Sequence, residues 1–333
     1  MSIERILFFA SRKSDYLEEI VLAGLHGLNL GDRLVLCPPP LKCYFSRKPY
    51  PRSIGKCRQV LSYIPDVLKA PGFYNSFDCV ILGSLKRDVF ENYLRVRDRL
   101  PPRLPVVLID GGDWADVGGD SERLGFGQLY RQAANARPFD IIFKRERMPS
   151  RSFPSNVFPL PMAFVSTHAI VPASTKKYDV VFWGVESHPA RAIALDMLQS
   201  RFDCAANGTV RHQKPRIYPR KGSRYLKELA SARVCCNFRG AGWDTLRYWE
   251  IPAVGSFMIS QAPAITIPDN FVSEVDCVFC KEDLGDLLDR ASYYLRNEKE
   301  REEIAANGRK RLYAYHTHIH RAQYILDILN QRL

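Results

Sequence analysis

Short apolar runs alternate along this chain with stretches of helical spacing. The run at 5–10 is continuously apolar and predicts a buried strand. The stretch 16–28 places Leu17, Val21 and Leu25 on one side, which predicts an amphipathic helix. A polar turn separates the two. This strand–loop–helix unit recurs through both halves of the chain.

The recurring unit predicts the α/β class. Strands are predicted, in chain order, at residues 5–10, 34–37, 78–83, 105–109, 139–143, 179–183, 202–206, 233–237, 256–260 and 275–279. Helices are predicted at 16–28, 56–69, 86–99, 121–135, 189–201, 225–232, 283–295, 298–314 and 317–329. Such alternation indicates parallel sheets covered on both faces, with ligands at the carboxyl ends of the strands.

Prolines, serines and threonines are frequent between residues 149 and 177, which predicts a break between two domains. A chain of 333 residues is long enough for two ordinary domains. We therefore expect two Rossmann-like parallel-sheet domains that face each other across a cleft. The predicted limits are an N-terminal domain at 1–160, a linker at 161–177, a C-terminal domain at 178–315 and a C-terminal helix at 316–333.

The composition is that of a globular protein, with 46% hydrophobic and 25% charged residues. No apolar run approaches the length that a membrane span needs. The apolar N-terminal stretch is short, lacks a small-residue cleavage site and is interpreted as a first strand. Most of the nine cysteines lie in or beside apolar runs, as buried thiols do. A cytoplasmic protein is the expectation.

Two basic stretches dominate the net charge of +12. Residues 42–58 carry six Lys or Arg and residues 211–227 carry seven, with no acid in either stretch. Each contains a lysine, Lys48 and Lys221, that is a candidate acceptor contact. Such patches attract polyanions, although a solvated basic surface is the usual role of a single charge run.

The segment 237–260 carries the clearest chemical signal. A Gly-rich loop leads into a short helix, for which Asp244 or Thr245 is the predicted N-cap. Arg247 and Glu250 lie three residues apart and therefore on one helix face. A helix N-terminus attracts anions, and a carboxylate one turn further on accepts hydrogen bonds from a diol. The segment therefore predicts a site for the phosphate and ribose of a nucleotide.

The pattern GWDTLRYWEIPAVGSF at 242–257 resembles the donor-site signature of GT-B glycosyltransferases, especially the CgeB-like (spore-maturation-type) group. The resemblance extends over about 176–330 and includes a family-like tail at 293–311. It implies a nucleotide-sugar donor, expected to be a UDP-sugar, with Glu250 on the ribose. Many retaining enzymes of this fold carry a second Glu where this chain has Gly242, so the stereochemistry is not carried over.

Glycosyl transfer also requires that the diphosphate be neutralised. The further donor-binding candidates are Gly184, Glu186, Arg191, Arg239, Gly242, Asp244, Thr245 and Arg247. Most of them follow a predicted strand of the second domain or flank the helix in segment 237–260. No Asp-x-Asp metal motif lies in a suitable loop, so we expect metal-independent chemistry with no cofactor besides the donor.

The acceptor hydroxyl must lose its proton to a base. Asp110 and Asp113 follow a buried strand with glycines between them and are the first candidates, and Asp15 is the second. Lys144 and Arg145 end the next strand and are expected to border the cleft. Asp also commonly caps turns and helices, which is the alternative role of all three acids.

Several functions stay open at this point. A nucleotide-sugar epimerase or hydrolase shares the two-domain layout, and a non-catalytic nucleic-acid-binding protein would use the basic stretches. For a transferase, the acceptor is hypothesised to be nucleic acid such as modified phage-type DNA, or another polyanion such as an acidic cell-surface polymer. A protein acceptor, such as flagellin, is a further alternative.

Overall fold

The computed structural model describes residues 3–37, 50–51, 72–202 and 222–333. The chain divides into two compact units. The N-terminal unit comprises Met1–Lys48, Arg52–Met162 and His318–Leu333, and the C-terminal unit comprises Pro49–Pro51 and Ala163–Thr317. The predicted helix 56–69 and most of the two basic stretches, including Lys48 and Lys221, lie outside the described residues.

The N-terminal unit contains a six-stranded parallel sheet of order β2-β1-β3-β4-β5-β6. Its strands are β1 Ile6–Phe9, β2 Leu34–Cys37, β3 Cys79–Leu82, β4 Val106–Asp110, β5 Ile141–Lys144 and β6 Val157–Pro159. The strands β1 to β4 are buried on both faces, as their continuous apolar sequences require.

The helices of this unit are α1 Tyr16–Gly27, α2 Arg87–Val96, α3 Gly119–Arg123, α4 Gly127–Ala136 and α10 His318–Arg332. The C-terminal helix α10 packs against α1. At Gly24 the two backbones approach so closely that an added Cβ would lie 2.1 Å from the His318 carbonyl oxygen. A residue with a side chain at position 24 would therefore push α10 away.

The C-terminal unit contains a four-stranded parallel sheet of order β10-β9-β8-β7 within its described residues. Its strands are β7 Tyr178–Val181, β8 Ala232–Asn237, β9 Phe257–Gln261 and β10 Val278–Cys280. Its helices are α5 Pro189–Arg201, α6 Ser223–Ala230, α7 Leu246–Ala253, α8 Leu287–Arg296 and α9 Glu298–Tyr315. A sharp turn at Gly255, with φ +74°, connects α7 to β9 as predicted.

The predicted α/β class with two parallel sheets is confirmed, and most strands lie within two residues of their predicted limits. Two elements differ. The strand β6 lies inside the Pro-rich stretch, where its terminal proline is tolerated because β6 is an edge strand. The predicted helix 121–135 is two helices, because Gly125 adopts φ +76° and breaks it. The predicted strand 202–206 lies almost wholly outside the described residues.

None of the helices that the structure describes is long and apolar enough to cross a membrane.

Candidate active site

The loops after β7 and β8 carry the predicted donor-binding residues of the C-terminal unit. Residues 182–188 follow β7, and residues 238–245 follow β8 and lead into α7. The two strands are parallel neighbours, so their carboxyl ends lie side by side. The predicted candidates of this unit are therefore brought together at one sheet edge.

The start of α7 differs from its prediction. Thr245 occupies the N-cap position, but its hydroxyl donates to Asn237 Oδ1 at 2.7 Å instead of capping the helix. Asp244 Oδ1 accepts a hydrogen bond from the Trp249 indole N–H at 2.8 Å. No side chain of the described residues caps α7, so its first turn retains N–H groups that an anion could bind.

Arg191 serves as an internal brace. Its guanidinium donates to the carbonyls of Arg239 at 2.9 Å, Phe238 at 3.0 Å and Val185 at 2.8 Å. The side chain is only 7% exposed. An arginine whose donors are spent on carbonyls is poorly placed to bind phosphate. The structure thus assigns Arg191 to joining the two loops, although the sequence predicted it to bind the donor.

Arg239 and Arg247 keep more of their donor capacity. The Arg239 guanidinium lies 4.3 Å from the Trp243 ring centroid, and the Arg247 guanidinium lies 5.1 Å from that of Phe182. Arg247 also donates to the Trp183 carbonyl. The Nε of each arginine is buried without a hydrogen-bond partner. The Nε atoms are not accessible, but both side chains are partly exposed, so an incoming anion could approach the outer part of each guanidinium.

Glycines make room for these side chains. A Cβ at Gly184 would lie 3.2 Å from Arg247 Nη2, and one at Gly240 would lie 3.0 Å from Arg191 Nη2. The Gly242 carbonyl accepts from the Gly240 N–H at 2.9 Å, which closes a tight turn. Glu186, another predicted donor-binding residue, lies in the loop after β7 and is partly buried.

The positive charges of this cluster affect the pKa values of its own residues. Burial and the charge of Arg247 lower the pKa of Arg191 to about 9, still well above neutral pH. Burial, followed by the charges of Arg239 and Arg191, lowers the pKa of His188. No salt bridge joins these three arginines to an acid of the described chain. A bound anion would relieve this repulsion.

Glu250 lies one helical turn beyond Arg247 and is 3% exposed. Its two carboxylate oxygens accept from different phenols, Oε1 from Tyr50 and Oε2 from Tyr225, the latter at 2.8 Å. Burial raises the pKa of Glu250, whereas both hydrogen bonds and the charge of Arg247 oppose this shift. The tyrosines were not predicted here, since nothing in the sequence links residues 50, 225 and 250.

In the N-terminal unit, Asp110 is a fully buried structural carboxylate. It accepts from the Gly112 N–H at 3.0 Å, the Gly118 N–H at 2.8 Å and Lys144 Nζ at 3.0 Å. Lys144 is equally buried. Since neither side chain reaches the surface, the structure favours neither Asp110 as a base nor Lys144 as a cleft residue.

Asp113 remains accessible, with 34% of its side chain exposed and an ion pair to Arg145. Its backbone N–H is fixed by Asp120 Oδ2 at 2.5 Å. Burial raises the pKa of Asp120, but hydrogen bonds from Arg123 and the Asp113 N–H outweigh it and lower the pKa overall. The two predicted base candidates of this loop therefore differ sharply in environment.

Asp15, the second choice for the base, caps α1. Its Oδ1 accepts from the Glu18 N–H at 3.2 Å, and its carboxylate pairs with Lys86 at 3.4 Å. A Cβ at Gly111 would lie 3.4 Å from Asp15 Oδ1, so the structure does bring Asp15 beside the segment that follows β4. Its capping role was the alternative to catalysis.

No group of His, Cys, Asp and Glu among the described residues is arranged to hold a metal ion.

Comparison with known proteins agrees with this architecture. Residues 171–327 match the family model described as "Glycosyl transferase-like". No curated protein matches the chain.

Solved structures are similar over nearly the whole chain. An α-glucosyltransferase in complex with UDP and a 13-mer DNA containing a central A:G mismatch gives a TM-score of 0.61 at 13% identity, covering 98% of this chain and 99% of that one. Anabaena HepE in complex with UDP and glucose gives 0.61 at 10% identity, with the same coverage. Sucrose-phosphate synthase from Thermosynechococcus elongatus gives 0.56 at 12% identity, covering 98% of each chain.

The likeness to these solved structures confirms the predicted GT-B fold class. The glycosyltransferase part of the predicted family agrees with the family model over residues 171–327. The family model matches most of the C-terminal unit, including the arginine cluster and Glu250, and extends into α10 of the N-terminal unit.

Proposed function

We propose that this protein transfers a sugar from a nucleotide-sugar donor, a UDP-sugar, to an acceptor hydroxyl. The observation that carries the proposal is the cluster after β7 and β8. Two partly exposed arginines, Arg239 and Arg247, lie beside an uncapped helix start, and a buried carboxylate follows one turn later. This arrangement lies in the glycosyltransferase-like segment.

The diphosphate would be held by positive charge. Arg239, Arg247 and the first N–H groups of α7 supply donors at one sheet edge, where the helix dipole adds to the attraction. Arg191 contributes its charge while it braces the two loops. As the bond to the sugar breaks, negative charge on the leaving diphosphate grows and these donors stabilise it.

The ribose would be held by Glu250. Two phenolic hydroxyls already donate to its two oxygens, one to each. A ribose 2′,3′-diol offers the same pair of donors, so the carboxylate geometry suits a diol. Binding of ribose in this way replaces at least one tyrosine contact.

The transfer itself is a substitution at the anomeric carbon. The acceptor oxygen forms a bond to that carbon, and the bond from the carbon to the diphosphate oxygen breaks with its electron pair. The acceptor proton passes to a base, for which we propose Asp113 because it is accessible whereas Asp110 is buried and fully hydrogen-bonded. Arg145, paired with Asp113, holds the carboxylate in place.

Finer assignments belong to the same proposal. The CgeB-like resemblance is supported by the family-model match to 171–327, which overlaps the resembling segment. Six free cysteines are buried in the described chain, which fits a reducing compartment such as the cytoplasm, where nucleotide sugars are made. A nucleic-acid acceptor has support from the DNA-bound structural neighbour and from the two basic stretches.

The test is release of UDP from UDP-sugars, measured with and without added acceptors. Acceptor-dependent release supports a transferase, whereas equal release in water alone would favour a hydrolase, and interconversion of the sugar would favour an epimerase. No binding of any nucleotide sugar in calorimetry would reject the proposal. A gel-shift with duplex and single-stranded DNA across a salt series tests the nucleic-acid acceptor, since phosphate contacts weaken steeply with salt.

A further inference from the structure

Trp114 is the exposed tryptophan of this chain. It is 48% exposed, whereas Trp183, Trp243 and Trp249 are 1%, 9% and 0% exposed. Trp114 follows Asp113, the accessible carboxylate after β4. Leaving a large aromatic side chain in water forfeits the free energy that its burial would give. Packing within the N-terminal unit therefore does not account for a tryptophan at this position.

The segment that presents Trp114 is held firmly. The Asp110 carboxylate accepts from the N–H of Gly112 and that of Gly118, one before and one after the tryptophan. Asp120 accepts from the N–H of Asp113. Both carboxylates are buried. The backbone around Trp114 is therefore fixed by two internal acids, and the indole is presented from a stable base.

The indole also has a backing surface. A Cβ built at Gly119 would lie 3.4 Å from Trp114 Cβ and Cε3, so the tryptophan packs on the backbone there. The Gly119 N–H donates to the Asp116 carbonyl at 3.1 Å, which closes the turn beneath it. An aromatic ring supported on one side and half exposed is suited to packing against the apolar face of a ligand ring.

The charge of this segment favours a hydroxylated ligand over a polyanion. Residues 110–120 contain four Asp and no Lys or Arg. The two exposed carboxylates, Asp113 and Asp116, each pair with an arginine from outside the segment, Arg145 and Arg151. Since all four acids are paired with cations, this surface carries no excess positive charge to attract phosphodiesters, whereas its carboxylates can accept hydrogen bonds from sugar hydroxyls. An aromatic ring between carboxylates offers the apolar and the polar contacts that a sugar ring needs.

We propose that Trp114 is a specificity-determining residue on which the ring of a saccharide acceptor packs, next to the carboxylate of Asp113 that receives the acceptor proton. This inference rests on the proposed glycosyl transfer and names its acceptor class. The apolar C–H face of a pyranose lies on the indole, and its hydroxyl is directed to the neighbouring carboxylate. Nucleic acid is the alternative acceptor and is an outcome of the test.

The experiment measures UDP release from UDP-glucose by the full chain, with a library of neutral oligosaccharides and with duplex DNA as acceptors. The variants are Trp114→Ala, Trp114→Phe and a matched control, Leu124→Ala, whose side chain is 47% exposed at the end of α3. UDP affinity by calorimetry and thermal unfolding check that each variant is folded.

We expect a saccharide to stimulate release, and Trp114→Ala to raise its KM by roughly tenfold with a smaller effect on kcat. Trp114→Phe should recover most of the loss because it restores an aromatic face, and Leu124→Ala should leave the KM unchanged.

Two results would overturn the inference while glycosyl transfer stands: an unchanged saccharide KM in Trp114→Ala, or stimulation by DNA alone. Stimulation by no acceptor of either class, in a protein that binds UDP-glucose, would overturn the inference and also remove the support for transfer. If no nucleotide sugar binds to the wild-type protein at all, the proposed function fails and this inference fails with it.

Discussion

Two regions of the molecule meet the same structural requirement with opposite charges. One is the loop after β4 in the N-terminal unit, and the other is the pair of loops after β7 and β8 in the C-terminal unit. In the first, the buried carboxylate of Asp110 accepts from two backbone N–H groups. In the second, the buried guanidinium of Arg191 donates to backbone carbonyls on both loops. In each region, the loop has backbone N–H or C=O groups that form no hydrogen bonds within a β-sheet, and one buried ion supplies their hydrogen-bond partners.

The comparison separates the ions that hold the loops from those that the proposed function uses. The fully engaged members, Asp110 and Arg191, hold the loops. The partly exposed neighbours, Asp113 on one side and Arg239 and Arg247 on the other, have capacity left for a ligand. The accessible charge is acidic in the N-terminal loop and basic in the C-terminal loops, which matches a base for one substrate and a diphosphate site for the other.

The largest effect should come from the structural member of the acidic loop. Asp110→Asn leaves the buried Lys144 ammonium without its counter-charge, and breaking a buried ion pair typically costs about 3–5 kcal/mol. Urea unfolding should show that loss. The control is Asp116→Asn, at an exposed carboxylate of the same loop, which should change stability by well under about 1 kcal/mol. Equal stability of both variants would refute the structural role.

Replacing the accessible member should affect turnover. We expect Asp113→Asn to lower acceptor-dependent UDP release by roughly a hundredfold or more, with UDP affinity retained, because the amide cannot take the acceptor proton. Initial rates and calorimetry measure the two quantities. Near-normal rates would instead direct attention to Asp15, although its capping of α1 makes it a structural residue in this geometry.

On the basic side, Arg239→Ala and Arg247→Ala should each weaken UDP binding. A charged hydrogen bond contributes about 1.5–3 kcal/mol, which corresponds to roughly a tenfold to hundredfold rise in Kd. The matched control is Arg233→Ala, an exposed arginine of the same unit that pairs with Asp179. If Arg233→Ala weakens UDP binding as much as the other two substitutions, the effect comes from the overall positive charge of the unit and not from a specific binding site.

Glu250 tests the ribose half of the donor site. Glu250→Gln should weaken binding of UDP-sugars by about 1–3 kcal/mol, because an amide accepts hydrogen bonds from a diol less strongly than a carboxylate does. Calorimetry with UDP-glucose measures the change. Tyr50→Phe provides the contrasting variant, since it removes a hydroxyl that occupies Glu250 and should leave UDP binding equal or tighter. Weaker binding in Tyr50→Phe would mean that the phenol assists the ribose.

The smallest expected effect is a change in the pKa of His188 when UDP binds. Burial and the charges of Arg239 and Arg191 lower the pKa of His188 in the free protein. A bound diphosphate offsets those charges, so UDP should raise this pKa, as an NMR titration of the imidazole would detect. Because a ligand that raises a pKa binds the protonated form better, UDP affinity should rise as pH falls through the pKa of His188 in the complex and level off below its pKa in the free protein.

The absence of any pKa change at His188 on saturation with UDP would place the diphosphate away from the arginines. His188→Gln identifies its resonance among those of the seven histidines.

The sequence predicted the elements well because their signals are local. Continuous apolar runs identified the buried strands, and helical spacing identified α1, α5 and α9. The strand β6 and the break at Gly125 were not predicted. An edge strand that ends in proline has a weak pattern, and a single glycine does not reveal its φ angle.

The site residues were only partly determined by sequence. Residue types and their positions after strands identified the two loops and the segment 237–260, because parallel strands bring their carboxyl ends to one edge. Sequence could not rank Asp110 against Asp113 as the base, since both lie at the end of β4. It could not rank Arg191 against Arg239 as a donor-binding residue, since each follows one of two neighbouring strands. Burial and hydrogen-bond partners made that choice.

What the sequence determined by itself is therefore the α/β class, the order of most strands and helices, and the segments that bear charge at their ends. The tertiary structure decided which ions are consumed in holding the loops and which are left for a ligand. It also brought Tyr50 and Tyr225 to Glu250 across 200 and 25 residues of chain. Such contacts depend on how distant segments fold together, and no local periodicity or propensity encodes that distance.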